Sequence, residues 1–289
     1  MDLEPPIPGY NRFIGSYLLP GEKTAIVDPG PSVSVPGLMA GLEAAGIRPE
    51  QVDYIILTHI HIDHAGGAGT LCRLLPNAQV ITHSRAIRHL IDPTALWQGS
   101  LKTLGELAVR YGEIQPVPAD RIIEADESSP IHLGNNITLE VYLTPGHAPH
   151  HLSLFNRADG LMLAGEAGGV CSNGAIRPAT PPPFKLEETL ASLDKLIALN
   201  PQRICYGHFG CYDNAVEQLR RARQQIIDWH KIANGEKARG KSPVQIMAVI
   251  RSKDRELDYL NSLDKDAFER ESVLLLNTVR GLSGISPQN

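Results

Sequence analysis

The sequence predicts a mixed α/β (α+β) fold in which two β-sheets pack together and helices cover their outer faces. Two observations support this prediction. Short apolar runs rich in strand-forming residues alternate with stretches of helical period along the first part of the chain. A block dominated by strand-like runs then follows between about residues 121 and 164.

Strands and helices alternate before residue 120. The run from Asp53 to Leu57 is the clearest strand, because it is short, apolar and rich in β-formers. The next helix ends before Pro76, since proline cannot continue a helix. The predicted strands cover residues 13–19, 23–28, 53–57 and 78–82, and the predicted helices cover residues 35–46, 70–75, 86–91 and 101–111, with Trp97 between the last two.

After residue 120 the predicted strands cover residues 137–143, 152–155, 161–164 and 204–206, and the predicted helices cover residues 185–199, 214–233, 243–250, 256–263 and 266–282. The segment Asn234-Gly235-Glu236 is expected to end the helix that begins at residue 214. We therefore expect residues 1–213 to form one catalytic domain and residues 214–289 to form a helical extension. The extension carries mixed charges, and it could cap a pocket or build a homodimer interface.

The segment that follows the strand over residues 53–57 carries three histidines and one aspartate within six residues. Imidazole and carboxylate groups are the donors that zinc, iron or manganese prefer. His59 and His61 lie two residues apart in an extended loop, so they can bind one ion together. Asp63 and His64 lie at the turn into the next helix and would face a neighbouring ion. A solvated histidine-rich loop is the alternative interpretation.

Three further donors each follow a later predicted strand: His147, within a Thr-Pro-Gly-His motif, Glu166 and His208. Because strand ends meet at one edge of a sheet, donors that are distant in sequence can converge there. The roles of His150 and His151 remain open, since either could face a pocket or make a structural hydrogen bond.

These ordered motifs resemble those of the metallo-β-lactamase superfamily of hydrolases. The His-x-His-x-Asp-His signature is complete at residues 59–64, and the Thr-Pro-Gly-His and Gly-His elements follow in the family's order. Asn11 and the Asp-Pro-Gly turn at residues 28–30 also resemble the family's opening strands. The resemblance covers roughly residues 10–215. It implies a four-layer αββα sandwich and the binuclear branch that contains glyoxalase II and lactonases.

Carried over residue by residue, the resemblance implies two divalent metal ions, with zinc expected and iron or manganese as alternatives. One ion would be bound by His59, His61 and His147, the other by Asp63, His64 and His208, and Asp28 would orient a ligand or the loop from behind the site. Glu166 stands where the family usually has a bridging aspartate. We expect Glu166 to keep the bridge, although weak binding at one site or an altered metal preference are alternatives.

The resemblance implies a hydrolase that uses a metal-bound hydroxide to cleave an ester-like bond, a thioester or a lactone, of a small or acyl-bearing substrate. Asp63 would both bind metal and receive or pass on a proton. Family lactonases often carry a tyrosine a few residues after the bridging carboxylate, but here Glu166 is followed by Ala167-Gly168-Gly169. This difference makes a lactone substrate less favoured than a thioester. Two alternatives are a mononuclear iron oxidoreductase similar to persulfide dioxygenases and a non-enzymatic sensor or regulatory protein with the same fold.

The composition excludes several other classes of function. The chain has 289 residues and a formal charge of −5, which argues against a nucleic-acid partner. Long apolar runs are absent, and the first residues lack the basic and apolar regions of a signal peptide. The four cysteines show no CxxC spacing and are expected to be reduced. We therefore expect a cytoplasmic enzyme with a small-molecule substrate and no membrane partner.

Two segments are expected to decide the substrate. Residues 84–118 could lie over the site and supply apolar contacts, or could be a scaffold helix pair. Residues 168–184 lead directly from Glu166 and end in Pro181-Pro182-Pro183-Phe184. Prolines make this second segment stiff, so we expect it to form one wall of the pocket.

Overall fold

A computed structural model describes residues 1–172 and 174–285 of the chain. The strands are β1 (Tyr17–Leu19), β2 (Thr24–Val27), β3 (Val52–Ile56), β4 (Gln79–His83), β5 (Ile122–Ala125), β6 (Ile131–Gly134), β7 (Ile137–Leu143), β8 (Leu152–Asn156), β9 (Leu161–Gly165), β10 (Val170–Ser172), β11 (Ala175–Arg177), β12 (Arg203–Tyr206) and β13 (Cys211–Asp213). The helices are α1 (Val35–Ala44), α2 (Ile62–Ala65), α3 (Ala68–Leu74), α4 (Ser84–Ile91), α5 (Thr94–Leu104), α6 (Glu106–Tyr111), α7 (Leu186–Ala198), α8 (Ala215–Ala238), α9 (Pro243–Lys253) and α10 (Lys265–Ser283).

The strands form two large sheets and one small hairpin. The first sheet has the order β1-β2-β3-β4-β5, with β1 antiparallel to β2 and the remaining pairs parallel. The second sheet has the order β13-β12-β9-β8-β7-β6, in which only the β12–β9 pair is parallel. Strands β10 and β11 form the hairpin that leads away from β9.

Alternating side chains on the strands produce the four layers. On β3, Ile55 packs in a core with the helices α1, α3 and α4, whereas Ile56 packs in the core between the sheets. On β8, Leu154 joins the same inter-sheet core, whereas Phe155 packs with α7 and α8. Successive strand residues point to opposite faces, so each sheet buries both of its faces. The predicted αββα sandwich is therefore confirmed.

The helices after residue 213 have a core of their own, built around Trp229 and Leu275. The prediction that Asn234-Gly235-Glu236 ends a helix was wrong, because α8 continues to Ala238. The Nδ2 atom of Asn234 donates to the carbonyl oxygens of His230 and Leu282, at 2.8 and 3.2 Å. The contact with Leu282 joins α8 to α10, and such tertiary packing outweighs the cost of about 1 kcal/mol that a glycine imposes within a helix.

The segment between β4 and β5 also differs in detail from the prediction. Trp97 lies within α5 rather than between two helices, and the break falls at Gly105, whose φ of +57° is a left-handed conformation. Among the described residues, no helix is both long enough and apolar enough to cross a membrane.

Candidate metal centre

The strand ends bring all seven predicted donors to one edge of the sandwich. The motif loop follows β3, His147 follows β7, Glu166 follows β9 and His208 follows β12. The donors form two groups in which the donor atoms lie within 4.8 Å of one another. The first group contains His59, His61, His147 and Glu166, and the second contains Asp63, His64 and His208.

The first group places its nitrogen atoms around one point. The Nε2 atom of His147 lies 2.8 Å from Nδ1 of His61. One carboxylate oxygen of Glu166, Oε2, lies 2.9 Å from Nε2 of His147 and 3.4 Å from Nε2 of His59. Two ligands of one tetrahedral zinc ion, each bonded at about 2.0–2.1 Å, would stand about 3.3 Å apart. These separations therefore fit a shared ion.

The second group has similar spacings. The Nε2 atoms of His64 and His208 lie 3.3 Å apart, and Oδ2 of Asp63 lies 3.8 Å and 3.6 Å from them. Glu166 also reaches this group, because its Oε1 lies 3.4 Å from Nε2 of His208 and its Oε2 lies 3.4 Å from Nε2 of His64. The two oxygen atoms of Glu166 thus contact both groups.

Two of the ring nitrogens that face away from the donor groups lie against backbone carbonyl oxygens. Nδ1 of His147 lies 2.9 Å from the carbonyl oxygen of Ala179, and Nδ1 of His208 lies 3.2 Å from that of Phe13. A ring N–H that donates to a carbonyl leaves the opposite nitrogen as a lone pair. The buried Nε2 of His59 has no hydrogen-bond partner, which fits a nitrogen reserved for a metal. The donor set therefore fits a pair of divalent ions.

Asp28 lies behind the second group, where the sequence placed it. Its Oδ1 accepts the backbone N–H of Thr58 at 2.8 Å and its Oδ2 accepts the Thr58 hydroxyl at 2.7 Å. Oδ2 also lies 3.5 Å from Nδ1 of His64. Asp28 is buried, so it fixes both the start of the motif loop and the orientation of one imidazole.

His151 makes a structural hydrogen bond and does not belong to either donor group. Its Nε2 accepts the backbone N–H of Glu166 at 3.0 Å, so its Nδ1 carries the proton and donates to the Thr144 hydroxyl at 2.8 Å. Gly165, at φ +55°, permits this approach, since a Cβ there would lie 2.5 Å from Nε2 of His151. His151 therefore holds the backbone that carries Glu166. His150 instead lines the pocket.

Burial keeps two imidazoles of the first group, those of His59 and His61, neutral. Burial lowers the pKa of His59 well below its ordinary value, and His64 lowers it further. Burial and His147 lower the pKa of His61 to about 4. Neutral imidazoles offer the lone pairs that metals require.

In the second group, nearby carboxylates act in the opposite direction on the pKa of His64. Burial would lower the pKa of His64, but Asp63 and the other nearby carboxylates raise it well above its ordinary value. Burial would also raise the pKa of Glu166, but His147 and His208 hold it well below its ordinary range. Glu166 is therefore an anion, as a metal ligand must be.

A cavity of about 580 Å³ opens over the donors. Its volume falls within the range of about 300–1,000 Å³ that is typical of small-molecule sites. Both predicted wall segments contribute, together with α10: the lining includes Leu96, Leu104, Leu107 and Tyr111, then Arg177, Ala179, Pro181, Pro182 and Pro183, then Leu274, Asn277 and Thr278. A groove of about 740 Å³ along α8 lies elsewhere and contains none of the seven donors.

Sequence reasoning missed three contributors to this site. Arg177 lies within the wall segment predicted at residues 168–184, but no motif marks it as a site residue, and the α10 residues reach the pocket only through the tertiary fold. The Phe13 ring, stacked on His208 with centroids 4.2 Å apart, was assigned only to a strand.

A metal-binding αββα sandwich is the class of protein that this fold and donor set define. A family model described as the metallo-beta-lactamase superfamily matches residues 10–208. The metallo-beta-lactamase fold-containing protein ST1585 of Sulfurisphaera tokodaii is 32% identical over 199 residues, which cover 67% of this chain and 72% of that protein. The chain belongs to the metallo-β-lactamase superfamily, and it is an enzyme of the hydrolase class.

Two further comparisons extend this result. The crystal structure of ST1585 from Sulfolobus tokodaii matches with a TM-score of 0.74 at 24% identity, over 96% of this chain and 95% of that one. This coverage includes most of the C-terminal helices, so the fold similarity is not confined to the sandwich. A hydroxyacylglutathione hydrolase of Xylella fastidiosa is 29% identical over 219 residues, which cover 74% of this chain and 66% of that protein.

Proposed function

We propose that this enzyme is a binuclear metal hydrolase that cleaves a thioester or lactone bond of an acyl-bearing substrate. The observation that carries the proposal is the position of Glu166, whose two carboxylate oxygens contact nitrogens of both donor groups at 2.9–3.4 Å. A glutamate so placed can bridge two ions. Zinc suits the imidazole-rich donors, and iron or manganese are the alternatives.

His59, His61 and His147 would hold one ion, Asp63, His64 and His208 would hold the other, and Glu166 would bridge them. Two bound divalent ions lower the pKa of a shared water and polarise a substrate carbonyl. The anchored Nδ1 atoms of His147 and His208 would keep the Nε2 lone pairs of these two rings aimed at the ions and so favour tight, oriented binding.

Asp63 is the carboxylate best placed to move protons. Its side chain is 19% exposed and lines the cavity, whereas that of Glu166 is 6% exposed. Asp63 Oδ2 could accept the proton of the attacking water and pass it to the leaving group. The apolar walls formed by Leu96, Leu104 and Leu107 exclude water from an acyl chain. The similarity to a hydroxyacylglutathione hydrolase also supports an acyl substrate.

The proposal is tested by measuring turnover of thioesters and lactones by purified enzyme and by two variants. We expect His61→Ala to lose at least about 10³-fold in kcat/KM, because several kcal/mol of charge stabilisation depends on the ions. His132→Ala is the matched control, since His132 is exposed on β6 and belongs to neither group. Hydrolysis that is unchanged in His61→Ala would reject this site.

A further inference from the structure

Arg177 is a buried cation that lines the cavity over the metal donors. Its side chain is 3% exposed, and it lies at the end of β11. Of the described residues that line this cavity, Arg177 is the only lysine or arginine. The carboxylates in the lining, Asp63 and Glu166, belong to the metal-donor groups, so we ask which groups Arg177 itself contacts.

One edge of the guanidinium already has a partner. Nε of Arg177 donates to Oε2 of Glu271 at 2.6 Å, and Nη2 donates to Oε1 at 3.4 Å. The Nη1 atom has only a long contact, 3.5 Å to the carbonyl oxygen of Pro178. Because a guanidinium carries five N–H groups in a planar fork, the edge formed by Nη1 and Nη2 retains donors for a second anion.

Glu271 cannot neutralise this cation alone. Its Oε1 also accepts from Nη2 of Arg270 at 3.1 Å, and its Oε2 accepts the Tyr259 hydroxyl at 2.8 Å. The described residues of this cluster therefore contain two buried guanidinium groups and one carboxylate. An excess buried positive charge is unfavourable unless another anion approaches it.

Arg177 is the member of this cluster that reaches the cavity. Arg177 lines the cavity, whereas Glu271, Arg270 and Tyr259 do not, so the carboxylate of the ion pair lies behind the guanidinium. Burial would lower the pKa of Arg177, but Glu271 raises it above its ordinary value, so the guanidinium is charged. Nη1 has only the 3.5 Å contact to Pro178, so it can donate to a ligand in the cavity.

We propose that Arg177 binds a carboxylate of the substrate, so that the enzyme acts on acyl thioesters or esters that carry a negative charge near the scissile bond. This inference rests on the proposed hydrolytic function. A carboxylate matches the planar fork of Arg177. The apolar residues Leu96, Leu104 and Leu274 line the same cavity and would contact the aliphatic part of the substrate.

The test compares matched substrates on the metal-containing enzyme. Butyryl-N-acetylcysteamine is the neutral reference, succinyl- and glutaryl-N-acetylcysteamine place a carboxylate on the acyl group, and butyryl-thioglycolate places it on the leaving group. We expect kcat/KM to favour at least one anionic thioester roughly 10- to 100-fold, as charge-assisted hydrogen bonds do. We expect Arg177→Met to bring this ratio close to one, mainly through KM, and Arg177→Lys to restore only part of it.

Arg270→Met is the matched control, since it removes the guanidinium that does not line the cavity and should keep the anion preference. Arg177→Met leaves Glu271 paired with Arg270, so the cluster keeps one cation for its carboxylate. A thermal unfolding curve checks that each variant is folded. A wild-type enzyme without an anion preference, or a preference that persists in Arg177→Met, overturns the inference.

A second readout separates this inference from the proposed function. Calorimetry measures the binding of succinate and glutarate against butyrate and pentanoate, which match them in chain length. We expect the dicarboxylates to bind roughly tenfold more tightly to wild type and equally to Arg177→Met. If no thioester is hydrolysed but this binding difference is found, the proposed hydrolysis fails and the anion site stands. If the difference is absent, the anion site fails even when hydrolysis is observed.

Discussion

The floor and the walls of the pocket are built in different ways. The floor gathers seven polar donors from four strand ends, and four of them, His59, His64, Glu166 and His208, are buried. The walls come from α5, from residues 177–183 and from α10, and they are mainly apolar. We therefore expect the donors of the floor to determine the type of reaction and the apolar walls to determine the choice of substrate. Substitutions in the floor should therefore change metal content and turnover, whereas substitutions in the walls should change the preference among substrates.

The largest effect is expected at Glu166, the residue of the floor that contacts both donor groups. Glu166→Gln should reduce the metal content by about one ion per chain and lower turnover roughly 10³-fold, because a neutral amide bridges two cations poorly. Elemental mass spectrometry and steady-state kinetics on the same preparation check both quantities. Full metal content with full activity in Glu166→Gln would exclude the bridge.

The next effect concerns stability, at the buried cluster behind the wall. Burial would raise the pKa of Glu271, but Arg177 and Arg270 lower it to about 2. Because the pKa of Glu271 is lower in the folded than in the unfolded protein, its ionised carboxylate stabilises the fold. This stabilisation is fully present at pH values above the ordinary pKa of about 4.5 and is lost as the pH falls toward 2. Glu271→Gln should therefore reduce the free energy of unfolding by roughly 3 kcal/mol at pH 6 and by less at pH 3.

Denaturant titrations of chelator-treated protein at several pH values measure this difference without interference from metal loss. Glu140→Gln is the matched control, since Glu140 forms a bidentate pair with Arg157 at the surface. We expect that control to change stability by less than about 1 kcal/mol. An equal loss in both variants at pH 6 would mean that the buried cluster contributes no more than a surface pair.

A smaller effect is expected from Asp28, which supports the floor from behind. Asp28→Asn should weaken zinc binding roughly 10- to 100-fold, because the amide cannot accept from both Thr58 groups and also face the N–H of His64. Competition with a chromogenic chelator measures the affinity. Asp53→Asn is the control, since Asp53 accepts a backbone N–H from Thr24 at the far end of β3. Equal zinc affinities in the two variants would show that Asp28 does not support metal binding.

The smallest effect is expected in the apolar wall. Leu104→Ala should lower the preference for a hexanoyl over an acetyl thioester roughly tenfold, because it removes part of the surface that contacts the chain. The ratio of kcat/KM values for the two substrates measures this preference. Leu74→Ala, an exposed leucine on α3, should keep the preference. A preference that is unchanged in Leu104→Ala would place the acyl chain elsewhere.

The floor could be predicted from the sequence because its information is local. Four donors lie within residues 59–64, and each of the other three directly follows a recognisable strand. Because strand ends meet at one edge of a sheet, these positions predict that the donors lie together. Two wall segments, residues 84–118 and 168–184, were also predicted, but the individual side chains and the contribution of α10 were not. Arg177 meets Glu271 across 94 residues, and neither residue lies in a motif. The α8 helix likewise continues past Gly235 only because α10 packs against it.

We propose that the seven donors on the floor of the pocket bind two metal ions in each chain. The most direct measurement is the metal content of wild-type enzyme purified without added metal, by elemental mass spectrometry with the protein concentration from amino-acid analysis. The account predicts close to two zinc, manganese or iron ions per chain and close to one in His208→Ala. Close to one iron ion per chain in wild type would contradict it and would favour the mononuclear, persulfide-dioxygenase-like alternative.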